Sequence, residues 1–148
     1  PWIVRWPGVV APGSEYHVSV ISPDVYPTLL EAARLDPLPE QHVDGVSLMG
    51  LLTGEDALTR EAIYWHYPHY GNQGGTPGSS IRAGNLKMIE FYEDQRLELY
   101  DLEADLSEEY DLARERPKLA AELHDMLVAW REEVQAIIPE PNPRWTAE

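Results

Sequence analysis

The stretch AIYWHYPHYGNQGGTPGSSIRAGNLKMIEFYEDQRLELYD, residues 62–101, decides how the chain folds. Within it Ile63–Tyr67, Ser80–Arg82, Leu86–Tyr92 and Leu97–Asp101 are rich in β-branched and aromatic residues and read as four strands. Ala83-Gly84-Asn85 and Glu93-Asp94-Gln95 are short turns suited to hairpins, so the pattern predicts an antiparallel meander. The acidic segment EADLSEEYDLA, residues 103–113, reads as a loop with at most one helical turn. Pro117 then takes the first-turn position of a final helix. Leu119, Leu123, Met126, Leu127, Trp130, Val134 and Ile137 recur every three to four residues, the stripe of a helix lying on a sheet. The proline-rich tail PEPNPRW, residues 139–145, ends it.

Upstream the signals differ. Trp2 to Trp6 is a β-prone run stopped by Pro7-Gly8, with a second turn at Pro12-Gly13, and reads as a strand in need of sheet neighbours. SPDVYPTLLEAARL, residues 22–35, reads as a helix with Ser22 or Asp24 as its cap and Leu29, Leu30 and Ala33 on its apolar face. The connector DPLPEQ leads to a short helix marked by Leu48, Leu51 and Leu52 and closed by Gly54, and EDALTRE, residues 55–61, follows as a linker. The expected fold class is α+β: a four-stranded antiparallel sheet packed by a long C-terminal helix, preceded by a strand and a helix. The division falls near residue 60, giving segments 1–60 and 61–148.

Composition limits the function. The 148 residues are 43% hydrophobic and 25% charged, the balance of a globular chain. With 26 acidic against 11 basic residues the formal net charge is -15, which argues against a phosphate-backbone binder. Nucleic acid is therefore not an expected partner. The sequence has no cysteine, hence no disulfide framework, thiolate zinc site or cysteine nucleophile. No apolar run approaches the length of a membrane span. The first residues, PWIVRWPG, lack the features of a signal peptide and begin inside the expected strand, which leads us to expect a piece of a longer protein.

A series of motifs in order, PWIVRWPG, PG, DVYPTLLEAA, DGVSL with LLTG, SSIRAGNLKMI and LELYDLEADLSEEYDLA, resembles the C-terminal portion of the sulfatase family, including arylsulfatases and N-acetylgalactosamine-6-sulfatases. The chain departs from the usual pattern in Arg34, where the helix usually ends in glycine, in Gly50 and Leu106, where proline is common, and in Asp111, where asparagine is usual. The resemblance implies an alkaline-phosphatase-like whole enzyme that hydrolyses sulfate esters of saccharides or aryl alcohols. It implies a formylglycine nucleophile from a Cys/Ser-x-Pro-x-Arg motif, and a calcium ion as Lewis acid. Neither motif nor ligand set occurs here: Ser22-Pro23-Asp24 has the wrong spacing, and no aspartate pair follows an N-terminal strand. On this reading 1–60 is the last strand, helix and linker of the catalytic domain, and 61–148 is the C-terminal subdomain. The expected partners are the missing N-terminal catalytic domain and a sulfated saccharide or aryl sulfate. The resemblance also implies an extracytoplasmic setting, periplasmic, secreted or lysosome-like. No catalytic residue and no metal ligand is expected in this chain, and the portion alone is expected to be inactive.

His66, His69 and Tyr70 are the candidate substrate-binding residues. Three apart at a strand end, the two histidines point to different sides, which argues against a shared zinc ion. They remain open to two readings, as histidines without function or as donors on a loop, His66 to Ser79, over the rim of the catalytic pocket. The glycines of GNQGGTPG are not flanked by strand and helix in the order of a phosphate loop. Arg82 and Lys87 flank a hairpin turn where they could touch a substrate sulfate, but alternation places Arg82 as easily against the acidic loop and a structural ion pair is the favoured reading; Asp24, Asp44 and Asp101 read as cap or turn oxygens. Two alternatives from other classes stand beside the sulfatase portion. One is a carbohydrate-binding module stacking sugars on Trp65, Tyr67 and Tyr70. The other is a protein-interaction module docking through Trp2–Trp6 and the helix from Asp24. An unpaired strand at Trp2–Trp6 would also promote self-association.

Overall fold

The computed structural model describes residues 2–55, 58, 60–72, 74–140 and 142–144. Of the expected linker, residues 56, 57 and 59 lie outside the described residues, as do Gln73 of the glycine-rich loop and 141 and 145 of the tail. The chain divides into two compact units, Pro1–Arg60 and Glu61–Glu148.

The second unit is the expected meander. Strands β1 (Ile63–Tyr67), β2 (Gly78–Ala83), β3 (Leu86–Phe91) and β4 (Leu97–Asp101) pair antiparallel in the order β1-β2-β3-β4. The β2–β3 turn is made by Gly84 at φ 58, and Gln95 at φ 57 turns the chain between β3 and β4. Register aligns Tyr64, Ile81, Met88 and Leu99 across the sheet. Facing residues of paired strands share one side, so these four form one row, and Ile81, Met88 and Leu99 are fully buried. The final helix, Pro117–Glu133, lies against that row through Ala120, Leu123 and Leu127, with Leu119, Met126 and Trp130 at its margins. Trp130 stacks on Tyr64 with ring centroids 4.9 Å apart and planes 6° from parallel.

Two positions of the expected stripe fall outside the helix. The helix closes at Glu133 because Gln135 turns left-handed at φ 53, and the Ala136 and Gln135 amides donate back to the Arg131 and Glu132 carbonyls at 2.9 and 3.2 Å. Val134 and Ile137 are consequently exposed. The acidic segment is a loop held by its own carboxylates: Asp105 Oδ2 accepts from the Glu109 and Tyr110 amides, both at 2.8 Å. Asp111 Oδ1 accepts from the Leu99 amide at 2.9 Å, and the Leu112 amide donates to the Leu99 carbonyl at 2.7 Å. The loop thereby covers the free edge of β4.

The first unit departs further from expectation. Trp2–Trp6 forms no strand, because none of the described residues pairs with it and a lone strand leaves its ladder groups unmatched. Ser22–Asp24 is a 3-10 turn running into α1, Val25–Ala32, and α2 spans Met49–Thr53 with Gly54 at φ 99 closing it as expected. The buried side of α1 is Pro27 and Thr28, joined by the preceding Asp24, rather than Leu29, Leu30 and Ala33. Polar anchoring sets this face. The Thr28 hydroxyl donates to the Asp24 carbonyl and accepts from the Leu48 amide at 2.9 Å, which ties α1 to the buried Leu48 and Leu51.

Candidate functional site

The end of β1 carries the candidate residues, and the fold separates them. His66 faces Ser79 across the β1–β2 pair, and Ser79 faces Glu90 on β3, one row along from the apolar row. His66 therefore turns toward the helix side. Its Nδ1 lies 2.9 Å from Ser79 Oγ and 2.8 Å from the Tyr92 hydroxyl, and Nε2 lies 3.1 Å from the Ile137 carbonyl. A carbonyl only accepts, so Nε2 bears the proton, and in the neutral ring Nδ1 is the acceptor. Ser79 Oγ and the Tyr92 hydroxyl also bond each other. Arg131 Nη1, from the final helix, donates to the Tyr92 hydroxyl at 3.3 Å and stands 2.6 Å from Glu90 Oε2. His124 Nε2 lies 3.1 Å from the same oxygen. The Arg131 approach to Glu90 is an ionic proximity, and neither it nor the His124 approach has hydrogen-bond alignment.

This network answers part of the sequence question. With both ring nitrogens engaged inside the chain, His66 is not a free donor to a ligand. A serine hydroxyl on a histidine nitrogen is also the pairing of an activated nucleophile. Here Ser79 is only 3% exposed and its oxygen is already covered by Tyr92, so the pair is structural.

His69 and Tyr70 go the other way. Both are exposed on the loop between β1 and β2, His69 against the edge of the Tyr67 ring at 5.5 Å. The Tyr70 hydroxyl donates to Glu93 Oε1 at 2.7 Å. That hydrogen bond, then partial desolvation and the Glu93 charge, raise the Tyr70 pKa above its ordinary 10.0, so the phenol stays protonated as a donor. Trp65 and Tyr67, two residues apart on the opposite side of the strand from His66, are exposed as well.

Lys87, rather than Arg82, pairs with the acidic loop: its Nζ reaches both Glu108 oxygens at 2.7 Å. Arg82 Nε donates to the Gly84 carbonyl at 3.2 Å, because its side chain follows its own hairpin turn. Asp101 Oδ1 accepts from the Glu103 amide at 3.1 Å as a turn oxygen. Asp24 is fully buried and accepts from the Ile21 and Val46 amides at 2.8 and 3.0 Å as well as from Arg60. Burial alone would raise its pKa, but the bonds from Arg60, Ile21 and Val46 and the Arg60 charge outweigh that and lower it. Among the described residues no three of His, Cys, Asp and Glu gather where they could hold a metal ion. The enclosed carboxylates of Asp24 and Glu90 both face cationic groups, so these residues do not fit the calcium ion that the resemblance implies for the whole enzyme.

Sequence reasoning missed Glu90, Tyr92 and Arg131. A signal existed. Glu90 stands two residues after Met88 and so shares its core-facing side, where an acid requires a cation. Arg131 and His124, seven apart on one helical face, are the groups that meet it.

Comparison with known proteins gives a consistent set. The C-terminal family of N-sulphoglucosamine sulphohydrolase matches residues 1–133. A sulfatase of Formosa agariphila is 32% identical over 145 residues, covering 88% of this chain and 26% of its own. An N-acetylgalactosamine-6-O-sulfatase of Bacteroides thetaiotaomicron is 29% identical, with coverages of 86% and 26%. A protein solved in complex with its substrate D-glucosamine-2-N,6-O-disulfate superposes with a TM-score of 0.74 at 30% identity, over 90% of this chain and 28% of that one. The chain spans about a quarter of the length of the two sulfatases.

Proposed function

Since the chain belongs to the sulfatase family, within its N-sulphoglucosamine sulphohydrolase C-terminal domain, we propose that it is the C-terminal portion of a longer sulfatase that hydrolyses sulfate esters of saccharides. Residues 1–60 complete the catalytic domain of that enzyme, and 61–148 form its C-terminal subdomain. The formylglycine and the calcium ion are supplied by residues outside this chain, which is inactive alone. The setting of the enzyme is extracytoplasmic.

In this reading the loop 68–77 lies at the rim of the substrate pocket, with His69 and Tyr70 as its saccharide contacts. The observation that carries it is the exposure of these two side chains, side by side, on a loop whose stems are tied into the sheet. The exposed His69 imidazole presents a donor and an acceptor, and Tyr70, whose hydroxyl proton is given to Glu93, presents an apolar ring face, the combination that grips a sugar. The sulfated saccharide bound by the similar solved protein supports the substrate class. His69→Ala in the longer enzyme tests it. KM for a saccharide sulfate such as N-acetylgalactosamine 6-sulfate should rise severalfold while kcat/KM for 4-nitrophenyl sulfate, which is too small to reach the rim, stays the same. Unchanged kinetics on the saccharide would overturn the assignment.

A second reading, a carbohydrate-binding module, is favoured by the exposure of Trp65, Tyr67 and Tyr70. It requires the isolated chain to bind unsulfated saccharides, which the first reading does not.

A further inference from the structure

The loop that carries His69 and Tyr70 has almost no core of its own. From His69 to Thr76 its described residues are exposed except Gly71, which is partly covered, and its internal bonds are short-range: Gly71 amide to Gly75 carbonyl at 2.8 Å and Gly74 amide to Gly71 carbonyl at 3.1 Å. Glycines leave such a loop many conformations, so its shape is set by where it is tied.

The ties converge on one residue. At the β1 stem, His66 meets the Tyr92 hydroxyl. At the β2 stem, Ser79 meets the same hydroxyl, and the Tyr92 amide donates to the Pro77 carbonyl at 3.0 Å. The next residue, Glu93, accepts the Tyr70 hydroxyl bond at the loop itself. Tyr92 is in turn held from the helix by Arg131, whose guanidinium lies 5.6 Å from the centre of its ring and bonds its oxygen, while Glu90 neutralises the arginine. His66 completes the arrangement by catching the Ile137 carbonyl beyond the helix end.

We propose that Tyr92, fixed by Arg131, is the positioning residue that sets the loop bearing His69 and Tyr70, so that the final helix determines how the enzyme holds its saccharide. This rests on the reading of that loop as the substrate rim. Tyr92 touches no substrate. It acts by sharing one hydroxyl among His66, Ser79 and Arg131, and a phenylalanine there keeps the ring but loses all three bonds. Arg131→Lys is the companion change, retaining a charge for Glu90 while losing the planar contact with Tyr92.

The test uses the longer enzyme carrying Tyr92→Phe, Arg131→Lys or His69→Ala, with N-acetylgalactosamine 6-sulfate and 4-nitrophenyl sulfate as substrates. Tyr92→Phe should raise KM for the saccharide about fivefold, the worth of one ordinary hydrogen bond, with kcat and the aryl-sulfate kcat/KM within about twofold. Arg131→Lys should shift KM in the same direction. Amide exchange should quicken in residues 69–76 and not in the final helix. Unchanged saccharide KM in Tyr92→Phe alongside a raised KM in His69→Ala would overturn the positioning role and leave the rim reading standing. No effect from either change would overturn both. Equal losses on both substrates, or unaltered exchange in the loop, would reduce Tyr92 to a general stabilising contact and overturn the proposal.

Discussion

Arg60 grips Asp24 with both ends of its guanidinium, Nη1 to Oδ1 at 2.6 Å and Nη2 to Oδ2 at 3.0 Å, while Nη2 also donates to the Ser19 carbonyl at 2.9 Å. The carboxylate is fully buried and the arginine nearly so, so one pair gathers residues 19, 21, 24, 46 and 60. A bidentate pair of this kind has good geometry for a buried ion pair, and removing one partner strands the other.

Asp24→Asn should therefore destabilise the first unit by about 3–5 kcal/mol, read by urea denaturation. The pH dependence follows from the sign of the shift. The folded pKa of Asp24 lies below its ordinary 3.8, so its contribution is complete above that ordinary value and is lost as pH falls through the lower folded one. Acid unfolding should lose this component in Asp24→Asn. Identical acid transitions in the two proteins would contradict the assignment.

The two ends of the final apolar stripe should behave oppositely. Leu127 is fully buried against the sheet, whereas Ile137 is 81% exposed. Leu127→Ala should cost about 2–5 kcal/mol, while Ile137→Ala, which keeps the carbonyl bonded to His66, should stay within about 0.5 kcal/mol. Thermal melts of both variants check this.

Arg34 occupies a position that favours glycine. It sits at φ 58 just past α1, where the Leu35 amide donates to the Leu30 carbonyl at 2.9 Å and the Arg34 amide to the Glu31 carbonyl at 2.9 Å. A left-handed arginine pays for its Cβ, so Arg34→Gly should stabilise the chain by up to about 1 kcal/mol, partly offset by the freer unfolded chain. A lowered denaturation midpoint would show that the Arg34 side chain has a role of its own.

These cases mark what was legible in the sequence. The period-two alternation placed β1 at Ile63–Tyr67 and β4 at Leu97–Asp101 with their observed bounds, and Pro117 marked the start of the final helix, because those signals are local. Arg34 was also visible as a departure from the family pattern. The face of α1 was not, since its buried side is chosen by hydrogen bonds from Asp24 and Thr28 to residues some twenty positions away rather than by Leu29 and Leu30. Around the candidate residues the strand and its following loop were readable and the placement of the side chains was not. His66, His69 and Tyr70 looked alike in sequence, but which one turns inward depends on the β1–β2 register and on Tyr92 and Arg131, both contributed by distant elements.

Self-association is expected at the N-terminal segment. Trp2, Ile3 and Val4 are all exposed, with Ile3 93% accessible. Light scattering at high concentration should report species larger than a monomer, and Ile3→Asp should shift them toward monomer. A monodisperse monomer in the unmodified chain would contradict this.

The central proposal, that this chain contributes the frame and the rim of a longer sulfatase but not its chemistry, is tested most directly by assaying the purified 148-residue chain on 4-nitrophenyl sulfate with calcium in excess. The account predicts no turnover above buffer. Turnover that survives repurification would contradict it and would place a catalytic apparatus within these residues.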